Sequence, residues 1–284
     1  MAHKVDFERW EQEARFFDAE ASKRSVSVSP IDDRVVQRYQ SPGRLFPKEY
    51  SCRVLGDLRG KRILDVGCGE GENTLLLAKL GAMVTGIDVS PKAIELGSAR
   101  AKASGLGGMT NFICSPIEAA NLPDGYFDII WGDNVLHHLL PVLDETLRSL
   151  ARAAKPGAQF LFIEPTNLNP TLRRIRFLVP VHTETTPGER PLERDDLAIV
   201  QRHVPDLKKR HFVFFGRLTR FLLPDGAYEN ASLARRALVR ALHVIDYGAL
   251  TIPSMETLGG MTVLHGHRPL SREESVDVSL RAAG

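Results

Sequence analysis

The sequence has few cysteines and no pairing pattern among them. It contains three cysteines in 284 residues, at positions 52, 68 and 114, and none of them forms a C-x-x-C spacing. An odd number of widely spaced cysteines excludes a complete disulfide framework and favours a reducing compartment. We therefore expect a cytoplasmic protein.

Long apolar runs and an excess of charge are also missing. No uninterrupted apolar segment approaches the ~20 residues that span a bilayer, so we expect no transmembrane segment. The first residues carry Asp6, Glu8, Glu11 and Glu13 where a signal peptide has an apolar core. A net charge of +2, and the absence of an N-P-P-Y motif for flipped bases, argue against a nucleic-acid partner.

Short apolar runs alternate with helical periods between residues 61 and 163. The runs predict β-strands at 61–66, 82–87, 109–114, 126–131 and 158–163. Such short runs, separated by helical periods, indicate a parallel sheet with helices on both faces. The length allows one large α/β domain with insertions.

A glycine-rich stretch follows the first predicted strand, where residues 63–74 have the sequence ILDVGCGEGENT. The glycines at 67, 69 and 71 place the third glycine one residue early for the dinucleotide fingerprint G-x-G-x-x-G. Glu70 and Glu72 would repel a pyrophosphate. A cofactor with a cationic end and no phosphate fits better, and a structural βα turn without a ligand is the remaining alternative.

The motif D-V-G-C-G-E-G resembles the first motif of class I S-adenosylmethionine (SAM)-dependent methyltransferases. The similarity continues through V-T-G-I-D-V-S, F-D-I-I and K-P-G. This resemblance implies an α/β fold with a Rossmann-like seven-stranded sheet and SAM as the cofactor, with S-adenosylhomocysteine as the product. It also implies methyl transfer to an O or N atom of a small molecule, such as a natural product, a lipid or quinone, or a sugar.

Asp88 ends the second predicted strand, 21 residues after Gly67. An acidic side chain at this place can accept hydrogen bonds from both ribose hydroxyls of an adenosine, whereas the capping role is already filled by Ser90. Ser115 stands near the place of the family's adenine-binding Asp and Glu118 follows a turn later, and the sequence leaves open which of them replaces that Asp. We expect Ile117 to pack on the adenine. The further cofactor contacts that the resemblance implies are Asp65, Gly67, Cys68, Gly69, Val89, Asp133 and Asn134.

His137 and His138 follow the fourth strand and are the candidate proton acceptors, because a neutral imidazole suits that task near pH 7. Adjacent helical residues point about 100° apart, so we expect only one ring to face the acceptor. We favour His137, which shares the side of Asn134; either ring can instead have only a packing role. This turn resembles that of phosphoethanolamine methyltransferases, whose His works with a cap Tyr. The resemblance favours Tyr39 as that partner over Tyr50.

A metal site is the less favoured interpretation of the same turn. Some methyltransferases carry E-x-x-E-H here and bind a divalent ion. This chain has Asn134, His137 and His138 in that pattern, so both carboxylates are absent. A hard cation prefers oxygen ligands, and we expect no metal.

The segments around the predicted domain suggest a cap and two lids. We expect a helical cap at 1–57, a SAM-binding domain at 58–267 with insertions at about 166–192 and 217–258, and a loose tail at 268–284. The helix predicted at 6–24 carries Phe7, Trp10, Ala14 and Phe17 at helical spacing. It either packs on the core or covers the cofactor with that face.

The insertions are rich in arginine, at positions 173, 174, 176, 217, 220, 235, 236 and 240. These arginines indicate an anionic or amphiphilic acceptor or peripheral contact with an anionic membrane, unless they are only solvated. A predicted helix at 231–246 places Leu233, Ala237, Leu238, Ala241, Leu242 and Ile245 on one face. Glu164 ends the fifth strand and is expected to bind an acceptor group or an arginine.

Two other functions compete with catalysis of methyl transfer. One is a SAM-binding sensor or accessory protein, and the other is an NAD(P)-dependent oxidoreductase, which the glycine spacing disfavours. The sequence leaves open whether the protein is a monomer or a homodimer.

Overall fold

The computed structural model describes residues 2–23, 28–172, 174, 189–223 and 228–270. A seven-stranded sheet in the order β3-β2-β1-β4-β5-β7-β6 forms its centre. The strands are β1 Arg62–Val66, β2 Met83–Asp88, β3 Thr110–Cys114, β4 Phe127–Asp133, β5 Ala154–Pro165, β6 Lys208–Phe212 and β7 Met261–His267. The first five are parallel, and β7 runs antiparallel to both β5 and β6. The predicted α/β fold with a Rossmann-like seven-stranded sheet is confirmed.

Some of the helices begin where the sequence supplies a capping side chain. Ser90 accepts a hydrogen bond from the Ala93 N–H and Pro91 occupies the first helical position, so α5 starts there. Asp32 caps α2 through the Arg34 N–H. The helices are α1 Ala2–Lys23, α2 Asp33–Gln40, α3 Pro47–Leu55, α4 Glu72–Lys79, α5 Pro91–Ala103, α6 Leu143–Ala153, α7 Arg194–His203, α8 Thr219–Leu222 and α9 Leu233–Ala249.

Helices cover both faces of the sheet, as expected for buried parallel strands. One apolar cluster joins Leu64 and Ile130 of the sheet to Leu147 of α6. The other joins Ile63 and Trp131 to Leu75 of α4. Because neighbouring residues of one strand enter opposite clusters, both faces are core.

The carboxyl ends of β1, β2 and β4 meet where the strand order changes direction. β1 pairs with β2 on one side and with β4 on the other. A crevice forms at such a switch point because the connections leave in opposite directions. The glycine-rich loop after β1 and the turn after β4 both open onto this crevice.

The first helix lies across the same edge. The Asp18 carboxylate accepts hydrogen bonds from the Ser90 hydroxyl and from the Lys92 N–H, the latter at 3.1 Å. On the next strand connection, Trp10 donates its indole N–H to Glu118 at 3.0 Å. These contacts hold α1 over the start of α5 and the segment after β3.

Two local predictions differ from the structure. The segment after β4 is a short 3₁₀ turn, Leu136–His138, where the sequence suggested an α-helix. The apolar residues of α9 do share a face, but that face is exposed, while Val239, His243 and Asp246 are buried.

Some predictions fall outside the described residues. They include much of the first predicted insertion, at positions 173 and 175–188 with Arg173 and Arg176, and the tail from 271 onward. No helix in the described part of the chain is both long and apolar enough to cross a membrane.

Candidate active site

A cavity of about 390 Å³ lies at the carboxyl edge of the sheet. Its walls come from the glycine-rich loop, the end of β2, residues 115–118, the turn after β4, α1, and Glu189. Among the candidate cofactor-binding residues, seven line it: Gly67, Gly69, Asp88, Val89, Ser115, Ile117 and Asn134.

The glycine-rich loop turns tightly beneath the cavity. Gly67 and Gly69 adopt φ values of 65° and 50°, which favour glycine. A Cβ added to Gly67 would lie 2.6 Å from Val135 Cγ2. Glycine is therefore required at position 67 both by the backbone conformation and by the turn after β4.

Asp88 faces the cavity and is anchored by backbone groups. Its two carboxylate oxygens accept hydrogen bonds from the N–H groups of Gly69 and Ser90, each at 2.9 Å. Burial raises the pKa of Asp88, although these two N–H groups stabilise its charged form. Each oxygen keeps acceptor capacity for a ligand hydroxyl.

Asp65 and Cys68, both expected to contact the cofactor, do not line the cavity. Asp65 is fully buried and accepts a hydrogen bond from the Thr74 hydroxyl at 2.6 Å, because alternation along β1 points it away from the cavity. Burial raises the pKa of Asp65 to about 7. The Cys68 side chain is buried, and a Cβ added to Gly86 would lie 2.8 Å from its sulfur. Both side chains support the loop from beneath.

Asp133 and Asn134 have separate positions at the end of β4. Asp133 lies outside the cavity, 3.2 Å from the Lys48 ammonium, and accepts a hydrogen bond from Asn73 at 3.3 Å. Asn134 lines the cavity with φ 59°, and its N–H donates to the Ile163 carbonyl at 2.8 Å. This left-handed residue turns the chain from the strand into the histidine turn.

Ser115 and Ile117 form the wall opposite the glycine loop. The Ser115 hydroxyl donates to the Pro116 carbonyl at 3.0 Å. Glu118, which also lines the cavity, is held by Arg9 and by the indole of Trp10. The segment expected at the adenine is therefore fixed by the first helix.

Helix α1 closes the cavity with aromatic side chains. Trp10, Phe16, Phe17 and Ala21 all face it, together with Glu13. Of the face anticipated from the sequence, Trp10 and Phe17 lie in the wall and Ala14 does not. These contacts favour the interpretation of α1 as a cover over the cavity.

The residues that line the cavity carry an excess of acidic groups. Five of its side chains are carboxylic acids, and no lysine or arginine among the described residues lines the cavity. The acids are Glu13, Glu70, Asp88, Glu118 and Glu189. Such a lining attracts a cationic ligand and repels a pyrophosphate.

His137 is buried behind the cavity wall. Its Nδ1 lies 2.8 Å from Glu164 Oε2, while Glu164 Oε1 accepts hydrogen bonds from the N–H groups of Val135 and Leu136 at 2.9 and 2.8 Å. Glu164 is inaccessible to solvent. The sequence predicted that Glu164 binds an acceptor group or an arginine of the insertions, and this prediction is wrong. Glu164 instead fixes the histidine turn.

His138 is the histidine that lines the cavity. Its Nδ1 lies 3.4 Å from a Glu189 oxygen, and its ring meets that of Phe17 edge to face. Burial, with the neighbouring His137, lowers the pKa of His138 to about 4, so the ring is neutral at pH 7. The preference for His137 as the cavity-facing ring is not supported by this geometry.

The two rings are also closer than the sequence suggested. Their centroids are 4.1 Å apart, and the ring planes are inclined to each other by 38°. His137 Nε2 and His138 Nδ1 both approach Glu189, at 3.5 and 3.4 Å. One carboxylate thus faces both imidazoles.

Tyr39 lies apart from the histidines. It lines a separate surface depression with Cys52 and Arg53, and burial raises its pKa to about 12. Tyr50 is also elsewhere, with its hydroxyl 3.4 Å from His265 Nε2. The structure does not bring either tyrosine to the cavity.

Within the part of the chain that the structure describes, His137, His138 and Glu189 form a group that could hold a metal ion. Their candidate ligand atoms lie within 4.8 Å of one another. The turn itself lacks carboxylates, but the fold supplies one from position 189, far away in sequence. A set of two imidazoles and one carboxylate suits Zn²⁺ better than Mg²⁺.

Sequence reasoning missed several residues of this site. Glu189 precedes α7 in a stretch of sequence whose composition gives no signal. Glu13 and Phe16 are ordinary helix residues until α1 is placed over the sheet. Glu70 lies inside the glycine motif, and the sequence analysis used it only to argue that the loop repels a pyrophosphate.

Part of the chain matches a known family. Residues 64–162 match the family described as methyltransferase domain. The matched residues extend from β1 to β5 and include the glycine loop, Asp88 and both histidines.

The curated relatives cover the same part. A probable tocopherol O-methyltransferase, chloroplastic, from Oryza sativa subsp. japonica is 33% identical over 143 residues, which are 50% of this chain and 35% of that protein. A ubiquinone biosynthesis O-methyltransferase from Bordetella parapertussis is 37% identical over 117 residues, which are 40% of this chain and 46% of that protein. The chain therefore spans less than half the length of these relatives.

Solved structures match over more of the chain. The structure titled as the [4+2]-cyclase SpnF aligns with a TM-score of 0.52 and 21% identity, over 86% of this chain and 98% of that one. At this identity the likeness establishes the fold alone.

Proposed function

We infer that this chain, which carries a class I SAM-dependent methyltransferase domain, transfers a methyl group from SAM to a hydroxyl oxygen of a small molecule. The observation that carries the inference is the acidic cavity at the switch point of the sheet. SAM is cationic at its sulfonium and carries no phosphate, so this lining suits it and disfavours NAD(P). Both relatives described above are O-methyltransferases by name, which supports oxygen over nitrogen as the acceptor atom.

The cofactor is proposed to lie along the glycine loop. Asp88 would accept the ribose hydroxyls, and Ile117 would pack against the adenine, with Val89, Ser115 and Asn134 completing the contacts. Asp65, Cys68 and Asp133 are proposed to act indirectly, by holding the loop and the end of β4. Aromatic residues of α1 would exclude water from the bound cofactor.

The acceptor is proposed to sit beside His138. SAM supplies a methyl group activated by its sulfonium, so the protein's task is to align the acceptor and to remove its proton. Neutral His138 can accept the hydroxyl proton, and Glu189 would stabilise the imidazolium that results. His137 is a positioning residue in this proposal, since Glu164 fixes its Nδ1.

No metal is required by this mechanism. His138 is neutral and can take the proton directly. The check is methyl transfer after exhaustive chelation and again after addition of Zn²⁺. Unchanged turnover supports the metal-free proposal, and a loss that Zn²⁺ restores would contradict it.

The organisation and location of the protein are also proposals. We propose that residues 1–57 act as the cap, that the insertions at about 166–192 and 217–258 act as lids, and that the acceptor is amphiphilic. All three cysteines are free, which supports a cytoplasmic location. The oligomeric state is proposed to be monomeric or homodimeric.

Cofactor identity is tested by calorimetry with SAM and with NADPH. SAM should bind and NADPH should not. Asp88→Ala should weaken SAM binding by about 1.5 kcal/mol, since charge-assisted hydrogen bonds are lost. Asp124→Ala, which removes an exposed carboxylate paired with Arg152, is the matched control. Binding of NADPH alone would overturn the cofactor assignment.

The reaction is tested with labelled SAM and a panel of hydroxylated quinol precursors and chromanols, with amine analogues as the comparison. Labelled product and S-adenosylhomocysteine should form only with hydroxyl acceptors. Because a [4+2]-cyclase shares this fold, SAM binding without any methyl transfer would favour a SAM-binding protein with another role. Transfer to the amines alone would contradict the choice of oxygen.

A further inference from the structure

Helix α9 presents its apolar side to solvent. On a helical wheel with about 100° per residue, eight exposed residues of this helix lie within a sector of about 140°. Leu233 is 80% exposed, and Val244 and Ile245 are 52% and 53% exposed. We call this sector the α9 apolar face; it consists of Leu233, Ala234, Ala237, Leu238, Ala241, Val244, Ile245 and Gly248, all exposed.

The opposite side of α9 binds the helix to the protein through polar groups. Asp246 is buried and accepts hydrogen bonds from three successive N–H groups, of Phe214, Phe215 and Gly216, at 2.9, 2.8 and 2.8 Å. His243 is buried with its ring centroid 4.2 Å from that of Phe46. The orientation of the helix is thus fixed by these contacts, and the apolar face stays outside.

The neighbouring segment adds further exposed apolar residues. α8 and the turn before it, Phe215–Leu218, contact α9. Phe221 is 69% exposed and Leu218 is 48% exposed. Exposed apolar side chains concentrated in adjoining elements mark an interaction surface rather than a random scatter.

Arginines flank this surface. On the helical wheel, Arg240 borders the Leu233 edge of the α9 apolar face and Arg235 lies beyond the Leu238 edge. Both are exposed, as is Arg220 on α8. Within the described residues, none of these three forms an ion pair with a carboxylate. The acidic residue of α9, Asp246, accepts hydrogen bonds from three backbone N–H groups. The acidic residue of the turn before α9, Glu229, forms an ion pair with Arg38.

We propose that the α9 apolar face, together with α8, docks on the surface of an anionic lipid membrane. An apolar stripe bordered by arginines matches a helix lying in the interface, with its apolar side among the acyl chains and its cations at the headgroups. Since no described helix is fit to span a bilayer, the contact is peripheral. This proposal does not depend on methyl transfer.

Charge favours a membrane over a second copy of the chain. A symmetric dimer built on this face would bring equivalent patches together. The arginines of both copies would then meet without carboxylates to pair with. An anionic membrane offers those charges and covers the apolar residues as well.

The test uses the full chain and sedimentation with sucrose-loaded vesicles. The protein should bind vesicles of equal phosphatidylcholine and phosphatidylglycerol, and far less to phosphatidylcholine alone. The double variant Leu233→Glu/Ile245→Glu should weaken binding at least about tenfold, since two apolar contacts are replaced by repelled charges. Arg235→Gln/Arg240→Gln should weaken binding to anionic vesicles by roughly tenfold and abolish most of its salt dependence.

Met83→Glu is the matched control, because Met83 is equally apolar and 46% exposed but lies at the start of β2. It should bind vesicles like the wild type, and circular dichroism should be unchanged in all variants. Equal binding to both vesicle types, or full binding by both double variants, would overturn the proposal. The proposal would also be overturned if the wild-type protein were a dimer that does not bind vesicles, and if replacing Leu233 and Ile245 made it a monomer. The partner of this face would then be a second copy of the chain.

Discussion

Two buried carboxylates, Glu164 and Asp246, hold short turns in the same manner in different regions of the molecule. Glu164 accepts hydrogen bonds from two backbone N–H groups and contacts His137. Asp246 accepts three backbone N–H groups, and His243 lies one helical turn before it. Each pairing of an acid with a histidine is buried.

The two turns held by these carboxylates have different roles because their surroundings differ. The turn held by Glu164 carries His138 into a cavity, so its order serves chemistry. The turn held by Asp246 does not line this cavity; it fixes α9 with the apolar face outward. The comparison teaches that a buried acid–histidine arrangement marks a functional site only where a neighbouring side chain reaches a cavity.

The largest expected effect is on stability, from Asp246→Ala. Three backbone N–H groups would lose a charged acceptor, which should lower the free energy of unfolding by about 3 kcal/mol or more. Urea denaturation measures it, with Asp124→Ala as the exposed control, expected within about 0.5 kcal/mol of wild type. A small loss at Asp246 would mean that water replaces the carboxylate, and that α9 is held by other contacts.

The second prediction distinguishes His138, which the turn held by Glu164 carries into the cavity, from His243, which lies near Asp246. His138→Ala should lower kcat by ~10²-fold or more, because the proton acceptor is removed. SAM affinity should change little. His243→Ala should leave kcat near wild type and lower stability instead. Similar kcat losses in both variants would show that position, not chemistry, explains the His138 effect.

The third prediction concerns pH and sharpens the role of His138. Since burial and His137 lower its pKa to about 4, the ring stays neutral as pH falls through the ordinary histidine value of 6.5. Activity at pH 5.5 should therefore remain near its value at pH 7.5, whereas an unperturbed histidine base would lose roughly tenfold. The pH profile of kcat decides; an acid limb centred near 6.5 would contradict a buried, neutral base.

The smallest expected effect compares apolar residues of two amphipathic helices. Leu238→Ala on the exposed face of α9 should change stability by less than about 0.5 kcal/mol. Leu150→Ala on α6, which is fully buried, should cost about 2–5 kcal/mol. Urea unfolding of the two variants provides the measurement. A large loss at Leu238 would show that its face is covered in solution.

The sequence predicted much of the fold because its signals were local. The strands predicted at 61–66 and 82–87 lie within one residue of the observed β1 and β2, because they follow from apolar spacing and from the glycines next to them. Seven of the proposed cofactor residues line the cavity. They all lie in the glycine loop or at and just after the ends of β2, β3 and β4. Their neighbourhood follows from the parallel order of those strands.

The acceptor side could not be predicted in the same way. Tyr39 was assigned to the histidines from a resemblance, yet α2 carries it to another depression. Glu189 reaches the imidazoles from a loop, and no spacing in the chain encodes that meeting. The choice between His137 and His138 depended on Glu164, which comes from the end of β5 and lies 2.8 Å from the Nδ1 of His137.

The sequence by itself determined the sheet, the glycine loop beneath the cofactor site and the acidic character of that loop. These depend on periodicity, on backbone conformations that favour glycine, and on charges placed close together in the chain. The tertiary structure alone decided which histidine faces the cavity, which acid supports it and which side of α9 meets solvent. These depend on contacts between distant segments, where one buried carboxylate, satisfied by backbone N–H groups, outweighs the local apolar pattern.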